Sequence, residues 1–593
     1  MAQSRLLRYL PFSAATTALQ ATTYLLGISL FSIAFLVFLN SSISFVVTDL
    51  VGVKQGVGDI VGTLGFTDEV VALVACPVWG LVSDRLGVRS VAVIGYTVIG
   101  LALFVLVQAR HVYPQLLLAR ILFAVGATAA ATMVTAILPC MTDESSRTSD
   151  SQKSPNPARN SLALSLDSQA TITPERFLNH GAASSSGRSG PCKSRGGPSA
   201  LAGYVGFFTG CGALVALLLF LPLPTRFGRI DGVTLGQAVE YSFYVVGAVS
   251  FLVAAFVFFG LRNLNGEDGK GWRTLLALRN TGTDESLEQL TAEQKIIPYL
   301  DLLKDSVRLG FSDSQIALGY LGGFVARAST VAISLFVPLF INSFFISKGF
   351  CHGAPNDPSP ALKKECEQAY TLAAAVSGVA QLSGLVCAPV FGYVSSRPGR
   401  INYPVVVATV LGIVGYVMIP QLPSPELRNT DGRGGSPIIM LYAALIGISQ
   451  IGAIVCSLGS LGRGVLTTDV VNVVAGPDGA QQQPPPPPPR LIVEAPDAHD
   501  DTAPLLDRPE AMPEDAASRI RLKGSIAGVY SWCGGAAILL LTKLGGYLFD
   551  AWSVGAPFYL MAAFNGVLLV TSLAMDAGQA ARERAREARE HRR

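Results

Sequence analysis

Long stretches without a single Asp, Glu, Lys or Arg constrain this chain more than any other feature. They run over 9–48, 90–109, 196–225, 368–396, 401–425, 434–462 and 551–575. A helix needs about 20 apolar residues to cross the roughly 30 Å hydrocarbon layer of a bilayer. Each run is long enough, and seven are too many to form one buried core. The composition agrees. Only 14% of the 593 residues are charged, against about 25% in a typical soluble domain, and mean hydropathy is +0.45. The chain reads as an all-α polytopic membrane protein.

Several classes fall away. The net charge is +3 from 44 basic and 41 acidic side chains, so no general polyanion surface and no nucleic-acid partner is expected. The first apolar run far exceeds a signal-peptide core, which points to a retained first span. The runs lack the alternation of about ten residues that marks a membrane β-barrel. Nine cysteines contain no CxxC, and there are five histidines. Neither a metal site nor a cofactor is expected. Nothing resembles a phosphate-binding loop, and no clustered Ser/His/Asp or Cys/His set suggests an enzyme.

Apolar runs and their charged or turn-forming flanks predict twelve helices near 20–47, 64–83, 89–109, 113–141, 200–223, 240–261, 314–345, 370–396, 402–421, 436–461, 524–548 and 553–575. Arg327 leaves two readings of the seventh: a span starting after it, or a long helix with a charge inside. The predicted organisation is a six-helix half over 1–262, a charged linker over 263–313, a second half over 314–578 and a basic tail over 579–593. Two segments, 143–199 and 466–522, are rich in Ser, Gly, Pro and Gln and are expected to be disordered loops. The second carries the run Pro484–Pro489, an extended spacer. Lys and Arg concentrate at both ends and on the even-to-odd connections, which predicts that both termini and all three long segments are cytoplasmic.

The chain also repeats itself. Pro77-Val-Trp-Gly80-Leu-Val-Ser-Asp84-Arg85-Leu-Gly87 matches Pro389-Val-Phe-Gly392-Tyr-Val-Ser-Ser396-Arg397-Pro-Gly399 at seven of eleven positions, 312 residues on. At a shift of 322, Gly206, Cys211 and Gly212 answer to Gly528, Cys533 and Gly534. Duplicated halves of this kind make the pseudo-symmetric architecture of alternating-access carriers.

The segment Gly80 to Arg89 resembles the loop signature of the major facilitator superfamily, G-x-L-x-D-R-x-G-R-R/K, with Val82 at the leucine and Val88 at the first basic position. Arg120-Ile-Leu-Phe-Ala124-Val-Gly126 is similar to that family's fourth-span motif, with Ala124 at a usual glycine. The resemblance implies twelve helices in two halves. It also implies a conformational latch at Gly80, Asp84, Arg85, Gly87 and Arg89, echoed by Gly392, Arg397 and Gly399. In that reading Asp84 accepts hydrogen bonds from Arg85 or Arg89 and faces the start of the eleventh span. With Ser396 in place of the acid, the second copy should latch more weakly.

Charges inside the spans are costly and default to functional candidates. Asp68, Glu69, Arg120 and Arg327 are these, together with Lys543. An ion pair from Arg120 to one of the two acids is expected, either coupling transport or simply bracing the fold. Asn40, Gln381 and Gln450 are polar groups that line a cavity or bond between helices. Cys351 and Cys366 lie on one extracytoplasmic connection and are a candidate disulfide. Asp501, Leu505 and Leu506 fit an acidic dileucine sorting pattern, implying a sorting adaptor and an endosomal or vacuolar membrane, with the plasma membrane as the other address. The favoured function is a secondary carrier of a small solute, with proton coupling suggested by the acids and the lipid bilayer as its surroundings. The alternative is a carrier-fold sensor or scaffold signalling through its cytoplasmic loops.

Overall fold

Twelve helices of 19 to 34 residues are long and apolar enough to cross a bilayer in the computed structural model of this chain. They are span 1 (Ala18–Leu50), 2 (Ile60–Leu86), 3 (Val88–Leu106), 4 (Val112–Thr142), 5 (Pro198–Phe227), 6 (Leu235–Gly260), 7 (Ser314–Ser347), 8 (Thr371–Ser395), 9 (Tyr403–Gln421), 10 (Ile438–Leu466), 11 (Lys523–Ala551) and 12 (Ala556–Arg582). At about 1.5 Å per residue the shortest already reaches about 28 Å. The structure describes residues 10–13, 15–53, 57–142, 197–230, 232–264, 267, 270–271, 299–348, 367–397, 402–427, 435–466, 471–472, 516–517 and 522–590. The expectations for 143–196, 473–515, the Cys351–Cys366 bridge, Gly399 and the Asp501–Leu505–Leu506 signal lie outside these residues. Beside the helices, Val471–Asn472 and Ala516–Ala517 form a two-residue antiparallel pair.

Span 7 runs through Arg327 as one helix, so of the two readings the second holds and the charge lies inside. Asp313 starts this helix by accepting from the backbone N–H groups of Gln315 (2.8 Å) and Ile316 (3.2 Å). This is a helix N-cap. Before it, the linker forms an amphipathic helix, Tyr299–Ser312, whose Leu302, Ser306 and Leu309 are buried against spans 7 and 11. At the other end the basic tail does not separate from span 12. One helix runs from Ala556 to Glu590. Its Ala, Arg and Glu residues are strong helix formers.

Pseudo-symmetry shows in which helices touch. Span 3 packs on spans 4 and 6 as span 9 packs on 10 and 12, and span 2 lies on span 4 as span 8 lies on 10. The two halves meet through the pairs 2 with 11 and 8 with 5. These are the four helices that the internal repeat singles out. The contacts need glycine. A Cβ on Gly80 would sit 2.6 Å from the Gly524 carbonyl oxygen and 2.9 Å from Gly528 Cα, and one on Gly203 would sit 2.7 Å from Gly392 Cα. Backbone meets backbone at both crossings, so neither side has a side chain that can yield.

Gly80→Val should therefore prevent spans 2 and 11 from closing on each other near Asp84. Cys140, buried beside the start of span 11, should then react with a maleimide in intact protein, while Gly62→Val, which has open space around it, should leave it protected. Protection of Cys140 in the Gly80→Val protein would contradict the close-packing account.

Candidate functional site

Two clusters of polar groups stand out against the apolar helices. The first lies at the face carrying the connection between spans 2 and 3, here called the basic face. Asp84 Oδ1 accepts from Gly524 N–H at 2.7 Å, and Oδ2 accepts from Ser525 N–H at 2.7 Å and from the Ser525 hydroxyl. The carboxylate thus sits on the first turn of span 11, where unpaired N–H groups and the helix dipole favour a negative charge. Arg89, an expected partner of Asp84, instead lies over the Phe258 ring at 4.4 Å, and Arg85 is buried nearby.

The connection itself is held by a residue that the sequence did not bring forward. Gly87 has φ +95°, a left-handed conformation that favours glycine. A Cβ there would also stand 2.6 Å from Glu267 Oε2. That same oxygen accepts from Val88 N–H at 2.7 Å, capping span 3, while Glu267 Oε1 pairs with Lys523 Nζ at 2.6 Å and Lys270 Nζ at 3.2 Å. Lys523 is fully buried and also donates to Cys140 Sγ at the end of span 4. On the pseudo-symmetric side, Ser396 donates back to Tyr393 O of its own helix at 2.7 Å. Arg463, at the end of span 10, joins the halves there by donating to the Ser199 hydroxyl of span 5, and it also donates to Ser395 O of span 8 in its own half. Arg397 folds onto its own Tyr393 ring at 4.7 Å. Nothing in the local sequence marked Glu267, Lys523 or Arg463, because their partners lie up to 383 residues away.

The second cluster lies within the spans. Arg120 of span 4 donates through Nε to both Asp68 oxygens, at 3.0 and 2.9 Å, and through Nη2 to Asp68 and to Asn40 Oδ1 of span 1. Its side chain is 3% exposed, and Nη1 is buried with no hydrogen-bond partner. The expected ion pair thus forms with Asp68, and Asn40 joins it. Glu69 points elsewhere. Among the described residues it makes no hydrogen bond or ion pair, although Asp68, Arg120 and Arg327 are all near enough to act on it electrostatically. Arg327 of span 7 likewise has no direct polar partner among them. Its stem lies against Gly534, where a Cβ would sit 2.7 Å from Arg327 Cγ. Gln450 bonds Thr330 between spans 10 and 7 at 2.9 Å. Lys543 lies over the Phe66 ring at 4.5 Å, and Gln381 is exposed. No group of three His, Cys, Asp or Glu that could hold a metal ion occurs among the described residues.

Residues 24–149 and 197–474 match the sequence profile described as Major Facilitator Superfamily. Among solved structures, the chain is similar to FucP, a transporter of that superfamily in the outward conformation, at 10% identity over 94% of this chain and 97% of that one, with TM-score 0.52. It is also similar to the proton:xylose symporter XylE bound to 6-bromo-6-deoxy-D-glucose, at 11% identity over 93% of this chain and 94% of that one, with TM-score 0.49. At such identities the likeness concerns the fold alone. No curated protein sequence matches the chain.

The Asp68–Arg120 pair should behave as a structural unit. Asp68→Asn leaves Arg120 buried without its counter-charge, a loss of about 3–5 kcal/mol for a buried pair. Thermal unfolding in detergent should show a large fall in Tm for Asp68→Asn and a smaller one for Asp68→Asn with Arg120→Gln. Glu69→Gln, which breaks no direct bond, should barely move it. Equal falls for Asp68→Asn and Glu69→Gln would contradict the assignment of the pair.

Proposed function

The chain belongs to the major facilitator superfamily, and on that premise we propose that it is a secondary carrier moving a small solute by alternating access. The basic face is the cytoplasmic one in this reading, as the Lys and Arg distribution suggests. The observation that carries the proposal is the way the halves meet there. Beside apolar packing, they are joined by hydrogen bonds and by glycine crossings: Asp84 on Gly524 and Ser525, Lys523 on Cys140, Arg463 on Ser199. Such contacts break and re-form as units, which a two-state gate requires.

Glu69 is the coupling group in this proposal. Asp68 is neutralised by Arg120, whereas Glu69 lacks a direct partner and is free to take and release a proton. A proton gradient then supplies the driving force. The acids of the second span thereby divide their work: one braces the half, the other responds to pH.

Reconstituted vesicles with an imposed pH gradient test the reading with a panel of sugars, amino acids and organic anions. Wild-type protein should accumulate at least one of them. Asp84→Asn keeps the side-chain volume but removes the charge on span 11. Each charge-assisted hydrogen bond is worth about 1.5–3 kcal/mol, and about 1.4 kcal/mol already changes the balance of states tenfold. The initial rate should therefore fall tenfold or more with little change in solute affinity, and Ser396→Ala should transport normally. Glu69→Gln should lose dependence on the gradient. Folded protein that moves none of the panel favours the sensor or scaffold instead.

A further inference from the structure

Span 11 brings Glu69 and Arg327 into one neighbourhood from opposite halves: a Cβ on Gly534 would sit 2.7 Å from Arg327 Cγ, and one on the next residue, Gly535, 3.7 Å from Leu73 Cδ2, a turn along span 2 from Glu69. The charge count there defines what the site can take. Span 2 supplies Asp68 and Glu69, span 4 Arg120 and span 7 Arg327, two negative and two positive groups in one electrostatic neighbourhood. Span 11 adds Tyr530, whose hydroxyl is paired with the Ser457 hydroxyl at 3.2 Å, and Lys543, which is drawn off over Phe66. Cys76 of span 2 is the remaining ionisable group that Arg327 and Glu69 act on. The four charges sum to zero when the site is empty.

The two unpaired members of the set are not equivalent. A guanidinium carries five N–H donors and does not lose its proton in a protein, whereas a carboxyl group can become neutral by taking one. Arg327 is thirteen residues, or about 20 Å, along the helix from Ser314, too deep to reach either surface. Gly534 leaves room for its stem, so the side chain is held where it lies. A permanent charge at this depth with none of its donors used calls for an anion. A bound monoanion alone would leave the cluster at net −1 inside the membrane. A proton on Glu69 restores neutrality.

We propose that the solute is an organic monocarboxylate, held at its carboxylate by Arg327, and that it crosses together with one proton carried on Glu69. The proposal rests on the carrier reading given above and names its substrate class and stoichiometry. The fork of the guanidinium matches the two carboxylate oxygens. Because Arg327 and Glu69 belong to different halves, the loaded site favours the two halves closing on each other. The empty site and the fully loaded site carry the same net charge, while the anion-only and proton-only sites do not. Anion and proton therefore load cooperatively, and the return step needs neither. With no net charge moved, the membrane potential, worth about 2.3 kcal/mol per charge per 100 mV, does not drive the cycle.

The test uses full-length protein in vesicles containing a trapped pH dye, with protein-free vesicles as background, and gluconate, glycerate and pyruvate beside glucose and alanine as probes. Wild type should acidify the lumen on addition of at least one monocarboxylate, one proton per anion, with no current and no response to an imposed potential. Arg327→Ala should abolish this at unchanged thermal stability, and Arg327→Lys should retain part of it. Glu69→Gln should carry the anion as a current without acidification. Transport of glucose or alanine that survives Arg327→Ala would overturn the inference and leave the carrier reading standing. Monocarboxylate uptake that is driven by potential in wild type would overturn it too. Folded wild-type protein that moves none of the five probes overturns the inference, and the wider panel above then decides the carrier reading separately.

Discussion

The negative charge of Asp84 on the first turn of span 11 is the contact on which the rest of the architecture depends. A carboxylate buried between two helices is costly unless its oxygens are satisfied, and here three donors from the opposite half satisfy them. The bond can form only because Gly80, Gly524 and Gly528 let two backbones touch. Close packing and charge are therefore one device: without the glycines the acid does not reach, and without the acid the crossing lacks its electrostatic hold. Glu267 adds the third element. By capping span 3 and pairing with Lys523 at the start of span 11, it ties the beginning of the central linker into the same junction.

The two halves solve the same problem with different chemistry. Where the first half uses an acid in the last turn of span 2, the second leaves Ser396 bonded back to span 8 and relies on Arg463 from span 10. A cation reaching one hydroxyl of the other half is a weaker tie than an anion on a helix N-terminus with matched donors. The asymmetry concentrates control of the basic face on the crossing of spans 2 and 11. Deeper in the spans the order reverses. The first half carries a closed Asp68–Arg120–Asn40 set, and the unpaired groups, Glu69 and Arg327, lie one in each half.

Much of this was legible in the sequence. Apolar runs and their charged or turn-forming flanks located all twelve spans, because a bilayer admits few alternatives to a helix of that length. The repeat pointed to the helices that join the halves, since glycines at matching positions mark close crossings. Asp84 could be placed against span 11, and Arg120 against an acid of span 2. Which acid could not be read. Neighbouring residues on a helix point about 100° apart, so Asp68 and Glu69 face different helices, and only packing decides which meets Arg120. Glu267, Lys523 and Arg463 were invisible for a related reason. Each looks like an ordinary charge at a helix end or in a linker, and its role exists only once distant segments are brought together. Span 12 was placed near 553–575, and the helix continues from it through the helix-forming residues of the basic tail to Glu590.

The central claim is that the Asp84 contact sets the balance between a closed and an open basic face. Spin labels at Asn263 and Ser396, exposed positions on that face in opposite halves, report the balance directly through pulsed dipolar distances in lipid. The account predicts a dominant short distance in the otherwise native protein, and a second, longer population that grows about tenfold relative to the short one when Asp84→Asn is added. A distance distribution unchanged by Asp84→Asn would contradict it.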